Sequence, residues 1–491
     1  MRESGILMHI TSLPNNYGIG TMGKCAYDFI DFLDAAGQSY WQILPLNPTG
    51  FGDSPYQAFS SCAGNPYLID LDILVEEGLL LQEEITSVQW ERDTERVDFG
   101  IMYECRLRIL EKAFERFTPT PAYEAFVSSN SHWLKDYGLF MALKAHFGGE
   151  PWLNWPEEIK LRVPESLNEM ETQLQDKVAF FQFLQYQFRI QWDKLRRYAA
   201  QKNIRIVGDV PIYVPLDSAD VWANPASFQL DENRYPTRVA GCPPDAFTED
   251  GQLWGNPLYN WDLMKETGYQ WWIRRLKAAK SLYDVIRLDH FRGFESYWSI
   301  PYGDATAKNG CWVKGPGMEF LGVVKQELPE LEFIAEDLGY LTEEVHQMQK
   351  EFGFPGMKVL QFAFDSREES DYIPHLYPVD SVCYTGTHDN ATMQQWFDEA
   401  VSADLTLAKT YLGLNTEEGY VWGVIRGAMG SVSRLCIVPM QDYLSLGKHT
   451  RMNQPGLLSS ANWTWCATPE ALSNALAAKI RQITCLYGRL K

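Results

Sequence analysis

Three acidic residues follow short apolar runs that have the character of buried β-strands. They are Asp289 in RLDHFRG, Glu336 in AEDLG and Asp389 in THDN. In a (β/α) barrel the carboxyl ends of the strands converge on one rim, so acids far apart in sequence can meet there. Retaining glycosidases need two carboxyl groups about 5–5.5 Å apart, one as nucleophile and one as proton donor. The three acids are therefore candidates for glycoside chemistry.

The neighbours of these acids favour different roles. Arg287 lies two residues before Asp289, so on a strand both side chains point to the same face. A nearby cation favours the ionised form of a carboxylate, which a nucleophile needs. Glu336 would act as the acid if its surroundings are poorly solvated or anionic. Asp389, beside His388, suits a third role in holding sugar hydroxyls. One such acid alone could be a structural ion-pair residue, whereas three at strand ends favour a site.

Eight strand-like segments must position these residues. Short continuous apolar runs bounded by Gly, Pro or Asp are typical of parallel strands buried on both faces. Helical patterns lie between several of them, which favours a closed (β/α)8 TIM barrel of the α/β class over an open doubly wound sheet. The predicted strands are 6–10, 40–44, 204–209, 285–289, 332–336, 357–362, 381–385 and 434–438.

The uneven spacing of the strands predicts insertions into a single catalytic barrel that spans 1–491. A long helical pattern over 71–201 predicts a mainly helical subdomain between the second and third strands. Residues 211–262 are dense in Pro, Asn, Gly and Trp and predict a loop-rich insertion, in which 243–261 is expected to cover the substrate. A smaller insertion is expected at 294–321.

Charge and composition exclude several classes of partner. The formal net charge of −21 argues against nucleic acids and anionic membranes, whose phosphates would be repelled. Nine cysteines without CxxC spacing favour neither a zinc site nor a disulfide framework. The amino-terminal sequence lacks the long apolar segment of a secretory signal, and no uncharged run approaches the length of a membrane span. We therefore expect a cytoplasmic protein with reduced thiols.

Other catalytic motifs find little support. The sequence GIGTMG at 18–23 matches the dinucleotide fingerprint GxGxxG, but it does not lie in the turn directly after a strand, and no ribose-binding acid follows the next strand. A glycine-rich loop at a barrel rim is the preferred interpretation. HExxH, GxSxG and P-loop patterns are absent and the eight histidines are mostly dispersed, so no metal or other cofactor is predicted.

Two loop segments combine aromatic rings with hydrogen-bonding groups. In GDSPYQAFSSCAGNPY, at 52–67, Tyr56 could stack on a sugar or simply pack within its loop. The segment PPDAFTEDGQLWGNPLYNW, at 243–261, mixes acids, amides and rings. This mixture suits a cover over a glucan, although an ordinary surface loop would have a similar composition.

Together these motifs resemble the 4-α-glucanotransferase family (amylomaltase or disproportionating enzyme, glycoside hydrolase family 77), a branch of the α-amylase superfamily. The motifs appear in the family's order over nearly the whole chain: HITSLP, GDSPYQ, GDVPIYV, PPDAF…GQLWGNPLYNW, RLDHFRG, AEDLG, MKVLQFAF, THDN and MNQPG. The resemblance implies an α-amylase-type barrel with inserted subdomains. It also implies that Asp289 is the nucleophile, Glu336 the general acid/base and Asp389 the transition-state stabiliser. The implied substrate contacts are Ser54, Tyr56, Asp209, Asp245, Phe247, Glu249, Gln252, Trp254, Arg287, Asp365, His388 and Asn462.

Two positions depart from the family pattern. In SSANWTWC a glycine would be expected before Asn462 and an arginine at Cys466, which bears on the packing around Asn462. Phe51 stands where a tyrosine is common, which bears on glucan stacking outside the catalytic centre. Neither departure touches the three acids.

The activity implied by the resemblance is transfer of an α-1,4-glucan segment to the 4-hydroxyl of an acceptor glucose or glucan. It would proceed with retention through a covalent glucosyl-enzyme. The alternative enzyme class is an α-1,4-glucan hydrolase on the same barrel. A non-catalytic glucan-binding protein would lack one of the acids, whereas all three are present. The expected partners are α-1,4-glucans and malto-oligosaccharides, with no cofactor.

Overall fold

Eight parallel strands close into a barrel in this computed structural model, which describes residues 2–90, 93–244, 248–339 and 341–490. The order around the barrel is β1-β12-β11-β10-β9-β6-β3-β2, which confirms the (β/α)8 prediction. In the described part of the chain the strands are β1 (Glu3–Leu7), β2 (Tyr40–Gln42), β3 (Arg205–Val210), β4 (Arg238–Cys242), β5 (Gln252–Pro257), β6 (Val285–Leu288), β7 (Ser296–Pro301), β8 (Cys311–Lys314), β9 (Glu332–Ala335), β10 (Gly356–Val359), β11 (Ser381–Tyr384) and β12 (Leu435–Pro439).

The first strand begins earlier than its apolar residues predict. Glu3 and Ser4 already pair with β12, but their polar side chains hide the strand from a search for apolar runs. At Gly5 a Cβ atom would lie 2.6 Å from the side chain of Tyr40 in β2. A glycine is therefore needed there because the first two strands approach closely.

Helices surround the barrel and fill the long interval between β2 and β3. Between Leu71 and Gln201 the described residues form nine of them, and the last, α10, packs against α7 and α1. The helices of the described residues are α1 (Lys24–Ala35), α2 (Leu71–Glu76), α3 (Gln82–Thr86), α4 (Phe99–Ile101), α5 (Leu107–Arg116), α6 (Pro121–Ser129), α7 (Ser131–His146), α8 (Glu157–Lys160), α9 (Pro164–Gln173), α10 (Gln175–Gln201), α11 (Ala219–Ala223), α12 (Trp261–Glu266), α13 (Gln270–Leu282), α14 (Gly317–Glu327), α15 (Glu343–Phe352), α16 (Met393–Glu399), α17 (Ser402–Leu412), α18 (Tyr420–Gly430), α19 (Met440–Tyr443) and α20 (Asn474–Leu486).

A second, antiparallel sheet lies outside the barrel. Its four strands have the order β5-β4-β7-β8, so residues from 211–262 and from 294–321 join in one structure. The sequence predicts loops in the first of these segments, but the structure is more regular and includes β4, β5 and α11. Among the described residues, no helix combines the length and the apolar character that crossing a bilayer requires.

Candidate active site

The three predicted acids lie at the carboxyl ends of barrel strands. Asp289 follows β6, and Glu336 follows β9, the neighbouring strand. The register pairs Leu288 with Ala335, and the backbone N–H of Glu336 donates to the Leu288 carbonyl at 3.0 Å. Asp289 and Glu336 are therefore next to each other on one rim. Asp389 follows β11 on the same rim.

A buried arginine joins two of the carboxylates in this region. Arg287 in β6 is paired in register with Asp209 in β3. The Nη1 atom of Arg287 lies 2.6 Å from Asp209 Oδ2 and 3.0 Å from Asp289 Oδ1. Burial lowers the pKa of Arg287, but the two carboxylates raise it well above its usual range, so the guanidinium stays charged. Asp289 remains 28 % exposed and is open to the rim.

Glu336 lies in surroundings that favour its protonated form. Burial raises the pKa of Glu336. Arg287 opposes that effect, whereas the negative charges of Asp289 and Asp337 add to it. Glu336 Oε2 accepts a hydrogen bond of 2.8 Å from the backbone N–H of His290, which fixes the carboxyl group beside the turn that carries Asp289. The pair thus combines an ion-paired carboxylate with a carboxyl group that retains its proton.

A hydrogen-bond chain runs from Asp209 through Tyr56 to His388, which lies beside the third acid. The Tyr56 hydroxyl donates to Asp209 Oδ2 at 2.8 Å and lies 2.9 Å from His388 Nε2. Because the single phenolic proton goes to Asp209, the Nε2–H of His388 is the donor in the second contact. The same nitrogen lies 3.3 Å from Asp389 Oδ2. Burial lowers the pKa of His388, so the ring is neutral.

The carboxylate of Asp389 is held by a segment that the sequence analysis did not single out. Asn453 Nδ2 donates to Asp389 Oδ1 at 2.6 Å, and Arg451 Nη2 donates to the Asp389 carbonyl at 2.7 Å. Asn453 belongs to the MNQPG motif, which was noted only for its place in the order of motifs. Trp463, also missed, has its ring centroid 5.8 Å from that of Tyr56.

The small sheet brings an aromatic ring to the rim. Trp254 in β5 contacts the His290 ring edge to face, with centroids 4.9 Å apart, and so lies beside the turn after Asp289. Gln252 Oε1 accepts a hydrogen bond of 3.1 Å from Trp254 Nε1. Glu249 is exposed in the turn before this strand. Asp245 and Phe247 lie outside the described residues.

Two other predicted contacts bind partners in their own loops. Ser54 Oγ accepts a hydrogen bond of 3.2 Å from the backbone N–H of Tyr56, and so supports that ring. Asp365 accepts two hydrogen bonds from the Arg367 guanidinium, at 2.8 and 2.6 Å. This pairing lowers the pKa of Asp365 to about 2. Direct substrate contact by either residue stays a prediction.

The amide of Asn462 likewise closes a loop. Its Oδ1 accepts from the Gln454 backbone N–H at 3.2 Å, and its Nδ2 donates to the Leu457 carbonyl at 2.9 Å. Nearby, where the family pattern has an arginine, the buried thiol of Cys466 donates to the Leu13 carbonyl at 3.4 Å. A contact of Asn462 with substrate stays a prediction.

The arrangement contains the groups that a retaining glycosidase requires: an accessible ion-paired carboxylate, a protonated carboxyl group beside it and a third carboxylate close by. Within the described ranges, no group of three or more His, Cys, Asp or Glu side chains is arranged to hold a metal ion.

Comparison with known proteins identifies the family. A family model described as 4-alpha-glucanotransferase matches residues 8–470. The chain belongs to the 4-α-glucanotransferase family. This membership confirms the resemblance that the motifs indicate, and it does not favour the alternative of a hydrolase on the same barrel.

The chain matches relatives in this family over most or all of their length. The chain is 49 % identical to the 4-alpha-glucanotransferase of Clostridium butyricum over 486 residues, which are 98 % of this chain and 100 % of the relative. It is 46 % identical to that of Thermus thermophilus over 502 residues, covering 100 % of this chain and 99 % of the relative. The structure is similar to amylomaltase from Streptococcus agalactiae in complex with acarbose, with 40 % identity, full coverage of both chains and a TM-score of 0.97.

Proposed function

We propose that this family member transfers segments of α-1,4-glucans to the 4-hydroxyl of an acceptor sugar, with Asp289 as nucleophile, Glu336 as general acid/base and Asp389 as transition-state stabiliser. The observation that supports these roles best is the pairing of unlike carboxyl groups at adjacent strand ends. Asp289 is ion-paired with buried Arg287, whereas burial raises the pKa of Glu336.

In the first step an oxygen of Asp289 attacks the anomeric carbon of the donor. As that bond forms, the glycosidic bond breaks, and its oxygen takes the proton from Glu336. The released glucan leaves with a new 4-hydroxyl, and the remaining segment is bound covalently to Asp289. Because Glu336 loses its proton in this step, it becomes the base that the second step needs.

In the second step the 4-hydroxyl of an acceptor gives its proton to Glu336 and attacks the same carbon. The bond to Asp289 breaks, and an α-linkage forms with net retention. Asp389 would hold hydroxyl groups of the reacting sugar, since Asn453 binds its carboxylate and Arg451 binds its backbone carbonyl. Those bonds orient the acid before substrate binds, which is how a fixed charge stabilises a transition state.

Transfer requires that an acceptor sugar compete successfully with water. The indole of Trp254 lies beside the turn that follows Asp289, where a ring can stack on an acceptor and exclude water. Residues 243–261 are therefore proposed as the cover of the acceptor region.

Incubation of the purified protein with maltotriose tests the activity. We expect glucose together with a ladder of longer oligosaccharides, because each donor fragment is passed to another sugar. Shortening of maltotriose without longer products would instead show a hydrolase. The variant Asp289→Asn should lose turnover by on the order of 10⁴-fold while it still binds glucan. Near-normal turnover in that variant would contradict the role of Asp289.

We also propose that the enzyme acts in the cytoplasm. Seven of the nine cysteines are free thiols, namely Cys25, Cys62, Cys105, Cys311, Cys383, Cys436 and Cys485, a state typical of reducing compartments. Cell fractionation with the maltotriose assay should place the activity with cytoplasmic marker enzymes. Activity in the extracellular fraction of intact cells would contradict the proposal.

A further inference from the structure

A buried acid outside the reacting centre binds both ends of the segment that carries Asp389. Asp442 belongs to α19, directly after β12, and is 1 % exposed. One of its oxygens accepts a hydrogen bond of 2.6 Å from Thr385 Oγ1, and the other accepts one of 2.7 Å from the backbone N–H of Met393. Thr385 follows β11, and Met393 is the first residue of α16. Residues 386–392 therefore run between two points fixed by one carboxylate.

A small cavity of about 20 Å³, room for about one water molecule, lies beside this segment. Five of the seven residues of the segment line it: Thr387, His388, Asn390, Ala391 and Thr392. Hydrogen bonds at the two ends of the segment and those made by Asp389 contribute to its position.

Gln441, next to Asp442, contacts the segment that binds Asp389. Gln441 Nε2 donates to the Thr450 carbonyl at 3.2 Å. Thr450 directly precedes Arg451, which binds the Asp389 backbone, and Asn453 binds the Asp389 carboxylate. The short helix α19 thus contacts residues 385–393, which contain Asp389, and also Thr450, next to the residues that bind Asp389.

In the part of the chain that the structure describes, Asp442 makes no ion pair. His9, His388 and Arg451 line the same cavity. Burial raises the pKa of Asp442 to about 6, an effect that its two hydrogen bonds oppose. At neutral pH the group is thus an ionised acceptor, as its two donors require.

We propose that Asp442 is a positioning residue for the glucan-transfer reaction: by binding Thr385 and Met393 it keeps His388 and Asp389 in the orientation that stabilises the transition state. The inference rests on the role proposed above for Asp389. A displacement of a catalytic group by about 1 Å costs on the order of 10²-fold in rate. Loss of this carboxylate should therefore act on the chemical step more than on substrate binding.

The test compares kcat and KM for maltotriose disproportionation in matched variants. We expect kcat to fall about 10-fold in Asp442→Asn and about 10²-fold in Asp442→Ala, with KM within about 2-fold of the parent. Thr385→Val removes one donor and should lower kcat, whereas Thr385→Ser keeps the hydroxyl and should have the kcat of the parent. The double variant Asp442→Asn with Thr385→Val should lose less than the product of the single losses, since both remove the same bond.

A matched control separates positioning from general destabilisation. Asp70 is also buried, and it also accepts from a threonine hydroxyl and from a backbone N–H at a helix start, those of Thr21 and Ile73. Asp70→Asn should lower the melting temperature comparably while leaving kcat unchanged. If Asp442→Asn keeps kcat within about 2-fold, or loses no more than Asp70→Asn, the proposal is wrong. If Asp442→Ala does not fold, the Asn and Thr385 variants still decide the outcome.

Failure of the parent proposal would look different. If Asp389→Asn leaves kcat unchanged, the role of Asp389 is wrong whatever the Asp442 variants do. If the enzyme only shortens maltotriose, the Asp442 comparison applies unchanged to the rate of hydrolysis.

Discussion

At the scale of single residues, burial separates the properties of carboxyl groups that lie close together. Arg287 is 3 % exposed and touches both Asp209 and Asp289. The cation stabilises the acid proposed as nucleophile, and the charge of that acid then raises the pKa of the neighbouring Glu336. Burial is the main cause of the raised pKa of Glu336, because Arg287 opposes it more strongly than Asp289 adds to it. The two adjacent acids therefore combine an ion-paired carboxylate with a carboxyl group that keeps its proton, which two-step glycosyl transfer requires.

The raised pKa of Glu336 also predicts a pH dependence of stability. The folded state binds this proton more tightly than the unfolded chain, whose glutamates titrate near about 4.3. As pH rises above that value, the unfolded state loses the proton first, so the stability contributed by Glu336 falls until its folded-state pKa is passed. Glu336→Gln cannot ionise and should avoid this loss.

Thermal unfolding measures this effect directly. The melting temperature of Glu336→Gln relative to the parent should rise between about pH 5 and about pH 8. The variant Glu332→Gln is the control, because this strand-start residue is exposed and its ion pair with Arg205 lies at the surface. A constant difference in melting temperature across that pH range would contradict a raised pKa for Glu336.

At the scale of elements, the sequence predicted those site residues that directly follow a recognisable strand. Asp289 and Glu336 follow directly from apolar strands, so finding the strands also located the acids. The contact between Asn453 and Asp389 joins segments that are 64 residues apart, and no local pattern encodes such a bond. The small sheet was missed for a different reason. Gly or Ser interrupts the apolar residues of β4 (RVAGC) and β7 (SYWSIP), and β8 is exposed. These strands therefore lack the continuous apolar run by which the barrel strands were recognised.

The small sheet places Trp254 at the rim, beside the turn after Asp289. Trp254→Ala should raise the fraction of glucosyl-enzyme that is captured by water, since the acceptor loses a stacking surface and the site becomes more open. The measurement is the ratio of free reducing ends to longer oligosaccharides formed from maltotriose. Tyr302→Ala removes another exposed ring, directly after β7, and should leave the ratio unchanged. Equal ratios in both variants and the parent would count against a role for Trp254 in excluding water.

At the scale of the whole molecule, the barrel is complete only when its first and last strands pair. β1 and β12 lie side by side, although they come from opposite ends of the chain. A buried arginine near the end of the chain reinforces this closure. Arg489 is 0 % exposed and donates to the carbonyls of Glu3, Met429 and Ser431 at 2.8, 2.8 and 3.0 Å. It therefore ties the segment after α20 to β1 and to the turn before β12.

Replacement of Arg489 tests how much this closure contributes to stability. Arg489→Met keeps most of the apolar stem but removes three hydrogen bonds to backbone carbonyls, although the Ser431 carbonyl still accepts from Arg2. We therefore expect a loss of about 3 kcal/mol in the free energy of unfolding. The melting temperature should fall accordingly. The kcat at about 25 °C should stay unchanged, because the Arg489 bonds lie at the amino-terminal ends of β1 and β12, whereas the proposed catalytic acids lie at the carboxyl-terminal ends of strands. Arg481→Ala, on the exposed face of α20, should change the free energy of unfolding by less than about 0.5 kcal/mol. If both variants have the same melting temperature as the parent, the pairing of β1 with β12 does not depend on Arg489.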